Sequence, residues 1–162
     1  MIMKLVILSA LLISSFAYAI SEVDYQAQYN QKIIPLIKKY KHGKFIGENN
    51  IAIHFATYSS NPESKRCIVI LPGRTEPIEK YAEVIYDLDQ SVLSGQFTYF
   101  LMDHRGQGSS ERMISKKPID FEKGHVDHFG NYALDVKTFM DLIVSKKECA
   151  DTTLIAHSLG AG

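Results

Sequence analysis

The strongest hydrophobic signals along the chain are short continuous runs. Cys67-Ile68-Val69-Ile70-Leu71 is apolar at every position and stops at Pro72-Gly73, the pattern of a strand buried on both faces of a parallel sheet. Residues 97–102 repeat the pattern and end at Asp103, and Thr152-Thr153-Leu154-Ile155-Ala156 predicts a third, shorter strand. Between these runs the period changes. Ile78, Tyr81, Ala82, Ile85, Leu88 and Val92 fall on one stripe of a helix predicted over 77–92, with Pro77 suited to its first turn. Tyr132, Val136, Phe139, Met140, Ile143 and Val144 line a second helix, and Lys146 and Lys147 suit its negative end. Strand, helix, strand, helix, strand is the grammar of an α/β fold with a largely parallel sheet.

The upstream part reads differently. Ile33, Ile34, Ile37 and Tyr40 have helical spacing, Pro35 breaks or restarts that helix, and Gly43 closes the segment. Phe45 and Ile46, the polar Gly47-Glu48-Asn49-Asn50, and the alternating Ile51, Ile53 and Phe55 predict a hairpin with one buried face. At the start, Lys4, an apolar run from 5 to 16 and Ala17-Tyr18-Ala19 have the form of a signal peptide cleaved after Ala19, which leaves residues 20–162 as the folded part. That run is about a dozen residues, against the roughly 20 that cross a bilayer, so a retained anchor is the second reading. No cysteine adjoins the cleavage site, which argues against a lipid-anchored product.

Composition narrows the classes of function. The chain is 46% hydrophobic and 22% charged, which excludes collagen-like and disordered readings. Eighteen basic residues balance 18 acidic ones, with no long block of Lys or Arg, so nucleic acid is not expected as a partner. Two cysteines are too few for a disulfide-built scaffold or a four-thiolate zinc site, so a hydrophobic core has to hold the fold.

In open α/β sheets, ligands sit outside the carboxyl ends of the strands. Three segments occupy that edge: Pro72-Gly73-Arg74-Thr75-Glu76, Asp103-His104-Arg105-Gly106-Gln107-Gly108 and His157-Ser158-Leu159-Gly160. Ala156-His157-Ser158-Leu159-Gly160 matches the G-x-S-x-G nucleophile elbow with Ala in the first position, and it follows a predicted strand as that motif requires. Small residues at 156 and 160 would let the turn close against the sheet. The plainer alternative is a serine in a loop after a core strand. The Asp103 segment lacks the third glycine and the immediate helix of a dinucleotide site, so its Asp103 and Arg105 are expected to pair with each other or with backbone groups. His125 and His128 lack third and fourth partners at zinc-like spacing, and are expected to be solvated or locally bonded.

Taken in order, these segments, with Lys80-Tyr81-Ala82-Glu83, Ser109 and Gly124-His125-Val126, resemble the bacterial lysophospholipase and monoacylglycerol lipase branch of the serine α/β-hydrolases. The resemblance runs from about Ile33 to Gly162. It implies an α/β-hydrolase fold cut just after the nucleophile elbow, with the cap and carboxy-terminal part absent. It implies that Ser158 attacks the carboxylic ester of a lysophospholipid or monoglyceride, that the backbone N–H groups of Arg74 and Leu159 form the oxyanion hole, and that Ala156, His157 and Gly160 support the elbow. No metal or organic cofactor is implied. Peripheral contact with a membrane and the oligomeric state stay open.

In this fold the acid and the histidine follow the serine along the chain. Only Leu159, Gly160, Ala161 and Gly162 follow Ser158, so the chain is expected to be an inactive amino-terminal part of an exported, periplasmic or secreted hydrolase. The alternative is a catalytically dead fragment or binding module of the same descent. Peptidases and carboxylesterases of the fold also remain open, because fold and elbow do not fix the substrate. The Arg74 side chain either holds a head-group phosphate or pairs with Glu76 or Asp103. The resemblance further makes the strands ending at Leu71 and Ala156 neighbours, with Cys67 and Cys149 toward their starting ends, either disulfide-bonded or free. The apolar strand end 154–156 would then lie at a sheet edge, an exposed position for such a strand.

Overall fold

A computed structural model describes residue 20 and residues 22–91, 93–114 and 124–162. The proposed signal peptide, 1–19, and Val92 of the predicted helix lie outside these.

The three apolar runs form β3 (Arg66–Leu71), β4 (Phe97–Met102) and β5 (Asp151–Ala156), and the hairpin supplies β1 (Lys41–Ile46) and β2 (Ala52–Tyr58). They make one sheet in the order β1-β2-β4-β3-β5. Strand β3 runs parallel to both neighbours, in register Leu71 opposite Ala156 and Ile70 opposite Leu101, while β1 and β2 are antiparallel. Both faces of β3 are covered, as its continuous apolar run requires. Ile68 and Ile70 face one core with Ile33, Ile78, Ile85, Tyr99 and Leu101, whereas Cys67, Val69 and Leu71 face another with Phe45, Ile53, Met102 and Phe139.

Each predicted helix is present, with local adjustments. The first begins at a 3-10 turn, Ile78–Tyr81, and continues as an α-helix (Ala82–Gln90) that buries Ile78, Ala82 and Ile85. The second is an α-helix (Gly130–Phe139) followed by a π turn, Met140–Val144, and a 3-10 turn, Ser145–Lys147. The amino-terminal helix also contains a π turn, Tyr29–Ile33, and continues through helical backbone into Ile34–Ile37, where Pro35 lacks the N–H that would bond back into that turn.

Two expectations need correction. Gly43 does not close the helical segment but lies inside β1, where the Phe55 ring across the hairpin occupies the space a Cβ would take, 2.5 Å away. The hairpin is not one-sided either: in β2, neighbouring Ile53 and His54 are both buried, because β2 pairs with β4 and lies inside the sheet rather than at its edge.

At the other end, β5 is an edge strand among the described residues, and Leu154 is 57% exposed. Cys67 and Cys149 form a disulfide, with Cα atoms 5.9 Å apart and 82 positions between them in sequence. It ties the start of β3 to the turn before β5. Reducing it is expected to lower stability by about 2–4 kcal/mol, read as a lower urea midpoint with reductant than without.

Candidate active site

The carboxyl ends of β3, β4 and β5 bring the three predicted segments together. The chain leaves β5 at Ala156, and His157 donates its N–H to the Leu71 carbonyl at 3.1 Å. Ser158 follows with φ of 49°, a left-handed conformation that an L-residue other than Gly or Asn rarely adopts, and it starts the helical turn Ser158–Ala161. Gly160 lies directly on β3: a Cβ there would sit 2.4 Å from the Leu71 oxygen. Only glycine lets the turn approach this closely, and the approach forces the bend at Ser158. The Ser158 side chain is exposed and its hydroxyl has no hydrogen-bond partner among the described residues.

Because only the left-handed backbone is strained, Ser158→Gly is expected to be about 1 kcal/mol more stable than Ser158→Ala, measured by urea unfolding of the two variants.

The loop after β3 is fixed from two sides. Gln107 accepts the Thr75 N–H through its Oε1 and donates to the Gly73 carbonyl through Nε2, while His104 Nε2 donates to the Pro72 carbonyl at 3.0 Å. Burial lowers the pKa of His104, which keeps its ring neutral for this role. On the other side stands Glu76. It accepts hydrogen bonds from the Gly73 N–H at 2.9 Å, the Tyr81 hydroxyl at 2.7 Å, the Lys80 ammonium, and His157 Nδ1 at 2.9 Å. Lys80 first, then Tyr81 and His157, hold the Glu76 carboxyl well below the usual carboxylate range. Since a carboxylate only accepts, His157 presents Nδ1–H to it. His157 is thereby tied to the loop rather than to the Ser158 hydroxyl, and Gly73 leaves the space that this contact needs, since a Cβ there would lie 2.7 Å from His157 Nδ1.

Arg74 and Leu159 line one cavity of about 290 Å³ together with His125, Phe129 and Tyr132. Among the described residues neither the Arg74 nor the Leu159 N–H donates to another protein group. Arg74 is exposed and pairs with neither Glu76 nor Asp103, whose oxygens are taken by other donors. Its charge faces Tyr132, where it works against the rise in hydroxyl pKa that burial causes. A second cavity, about 260 Å³, shares Tyr132 and Leu159 and is lined by Leu71, Val136 and Leu154.

The expected pairing of Asp103 with Arg105 is not found. Arg105 is fully buried and meets Asp135 through two bonds, Nε to Oδ2 at 2.6 Å and Nη2 to Oδ1 at 2.7 Å. A carboxylate on the facing helix matches the planar guanidinium better than one two residues away. Asp103 instead accepts from His54 Nδ1 at 2.7 Å and from the N–H groups of Ile78 and Ser109, both at 2.9 Å, and Arg105 also donates to the Glu48 carbonyl, so the expectation of backbone partners holds for both. His125 bonds Asp127 at 2.8 Å. Among the described residues no group of three His, Cys, Asp or Glu is placed to hold a metal.

Comparison with known proteins follows the same geometry. A family model described as serine aminopeptidase, S33, matches residues 62–162, from the loop before β3 through the elbow. The chain belongs to this α/β-hydrolase family. Lysophospholipase L2 of Escherichia coli strain K12 is 34% identical over 117 residues, covering 72% of this chain and 32% of the relative. A probable lysophospholipase L2 of Haemophilus influenzae is 28% identical over 132 residues, covering 80% of this chain and 39% of the relative. The chain therefore spans about a third of the length of these curated relatives. Two solved structures share the fold: an α/β hydrolase from Novosphingobium aromaticivorans (TM-score 0.53, 18% identity, 75% of this chain and 36% of that one) and a cold-adapted esterase from an Arctic intertidal metagenomic library (TM-score 0.55, 15% identity, 75% and 51%).

Within this family frame, sequence reasoning singled out the segments that meet at the strand ends but missed several side chains that fix them. The sequence points to Glu76 only as an ion-pair partner for Arg74, and it assigns no role of their own to Gln107, His54 and Asp135. Glu76 carried a readable signal, since it stands four residues before Lys80 at helical spacing. The contacts of His54 and Asp135 span 49 and 30 positions in sequence, beyond any local pattern.

Proposed function

We propose that the protein is a serine hydrolase that cleaves the carboxylic ester of a lysophospholipid or monoglyceride through an acyl-enzyme on Ser158. The observation that carries this reading is the left-handed backbone of an exposed serine, pressed against β3 through Gly160 beside two unengaged amides. The Ser158 oxygen attacks the ester carbonyl carbon, and the tetrahedral oxyanion accepts hydrogen bonds from the Arg74 and Leu159 amides, preorganised donors worth several kcal/mol in such a state. The C–O bond to the alcohol breaks, the alcohol leaves with a proton, and water then releases the fatty acid from Ser158. Proton transfer requires a histidine oriented by an acid. We place both in segments outside the 162 residues, a reading supported by the share of the relatives' length that the chain spans and by the engagement of His157 with Glu76. The names of the curated relatives favour a lysophospholipid as substrate. We further propose export, which fits both the amino-terminal pattern and the Cys67–Cys149 disulfide.

We propose that the Arg74 guanidinium, exposed and lining the same cavity as Leu159, binds a head-group phosphate. In the complete gene product, Arg74→Ala is expected to lower kcat/KM about tenfold or more on a lysophospholipid and to leave a neutral monoglyceride nearly unchanged, as loss of a charge-assisted hydrogen bond predicts. A panel of lysophospholipid, monoglyceride and aminoacyl amide substrates tests both points. Equal losses on charged and neutral esters would remove the head-group role, and turnover confined to the amide would replace the ester reading with a peptidase.

A further inference from the structure

A cavity of about 440 Å³ shares no lining residue with the two cavities beside the elbow. It opens at the opposite edge of the sheet, where β2 ends, β4 begins and the turn before β5 passes, and it falls within the size range of small-molecule sites. Lys39, Lys41 and Lys147 line it, together with Thr57, Ser60 and Thr98, and no Asp or Glu does. The chain as a whole is neutral, so three ammonium groups on one concave wall represent a local separation of charge. Among the described residues Lys39 and Lys41 have no carboxylate partner, and Lys147 donates to the Pro62 carbonyl, a neutral oxygen that leaves its charge uncompensated. Three acids around it have partners of their own: Glu148 lies 3.9 Å from Lys65, Asp151 lies 3.3 Å from Arg66, and Asp89 accepts from the hydroxyl of the lining residue Tyr58 at 2.9 Å.

The wall between the lysines selects among anions. Thr98 donates its hydroxyl to the Ser64 carbonyl, and Ser59 directs its single proton at the Asn61 carbonyl, with the Phe97 carbonyl also in reach, so these groups shape the wall without offering a proton. Ser60 is engaged with the Tyr58 hydroxyl, whereas Thr57 keeps its own hydroxyl for a ligand. Thr57 lies opposite Lys41 in the hairpin register, so hydroxyl and ammonium sit side by side on one wall. Several cationic donors around one concavity, with the Thr57 hydroxyl beside them, suit an oxyanion with three or more acceptor oxygens better than a single carboxylate.

We propose that this cavity is a binding site for a phosphoryl group, held by Lys39, Lys41 and Lys147. The group reaches it either on a small soluble molecule or on the head group of an anionic lipid. The site is separate from the elbow and does not depend on the role of Ser158.

The test is calorimetric titration of the complete gene product with inorganic phosphate and with glycerol 3-phosphate, alongside co-sedimentation with phosphatidylglycerol and phosphatidylcholine vesicles. The triple variant Lys39→Gln, Lys41→Gln, Lys147→Gln is compared with a control that removes equal charge elsewhere, Lys32→Gln, Lys44→Gln, Lys137→Gln. Circular dichroism checks that both are folded. The site is supported if the cavity variant weakens binding of a phosphate ligand, or of phosphatidylglycerol vesicles, by about tenfold or more while the control does not. Soluble phosphates binding without vesicles identifies a soluble ligand, and vesicle binding that soluble phosphates compete away identifies a lipid head group. The proposal is overturned if neither ligand nor vesicle binds, or if the two triple variants bind alike.

Discussion

Asp135→Ala is expected to destabilise the protein by about 3–5 kcal/mol, the cost of leaving a buried charge without its partner. Arg105 and Asp135 are both fully buried, and their two-bond contact joins the loop after β4 to the helix Gly130–Phe139. The same carboxylate accepts the Glu48 N–H at 2.9 Å, and Arg105 donates to the Glu48 carbonyl at 3.0 Å, so the hairpin turn hangs on this pair as well. Removing the carboxylate leaves a guanidinium in a dry site and frees a backbone amide. A loss of that size is a large share of the roughly 5–15 kcal/mol that separates folded from unfolded states of ordinary domains. Asp135→Asn, which keeps one acceptor oxygen, is expected to cost less. Replacing both partners, as in Arg105→Met with Asp135→Leu, is expected to recover most of the loss, because buried ion pairs gain little over well-packed apolar side chains. Urea midpoints of the three variants check the ordering. Equal stability of Asp135→Ala and the parent would remove the pair from the list of features that hold the fold.

The second large effect is chemical. In the complete gene product, Ser158→Ala is expected to lower kcat for ester hydrolysis by up to about a million-fold, the scale seen when the nucleophile of a serine hydrolase is removed, while the fold persists. Gly160 and His157 account for that persistence: the bend at 158 is set by the close packing of Gly160 on Leu71 and by the His157 N–H bond to the same carbonyl, neither of which uses the serine side chain. A residual activity close to the parent's would move the nucleophile elsewhere.

Much of this architecture is legible in the sequence because its central strands are buried on both faces. Continuous apolar runs locate β3 and β4 within a residue, and the resemblance in the turn after β5 points to the bend that the structure shows as a positive φ at Ser158. What the sequence hides is long-range. Gly43 reads as a helix terminator until Phe55 is seen to cover it across the hairpin. Asp103 and Arg105 read as pairing with each other or with backbone groups; the backbone partners are there, but the side-chain partners are His54 and Asp135, brought in by other elements. Likewise, His157 and Glu76 are 81 positions apart, and only the parallel pairing of β3 with β5 brings their loops into contact. Local pattern fixes which face a residue presents, whereas the identity of a polar partner depends on which element folds over it.

Labelling of the complete gene product with a fluorophosphonate, followed by peptide mass mapping, tests the central claim most directly. The account predicts a single stable adduct on Ser158 and none in the Ser158→Ala variant. A folded protein that leaves Ser158 unmodified, or that carries the adduct on a different serine, would contradict it.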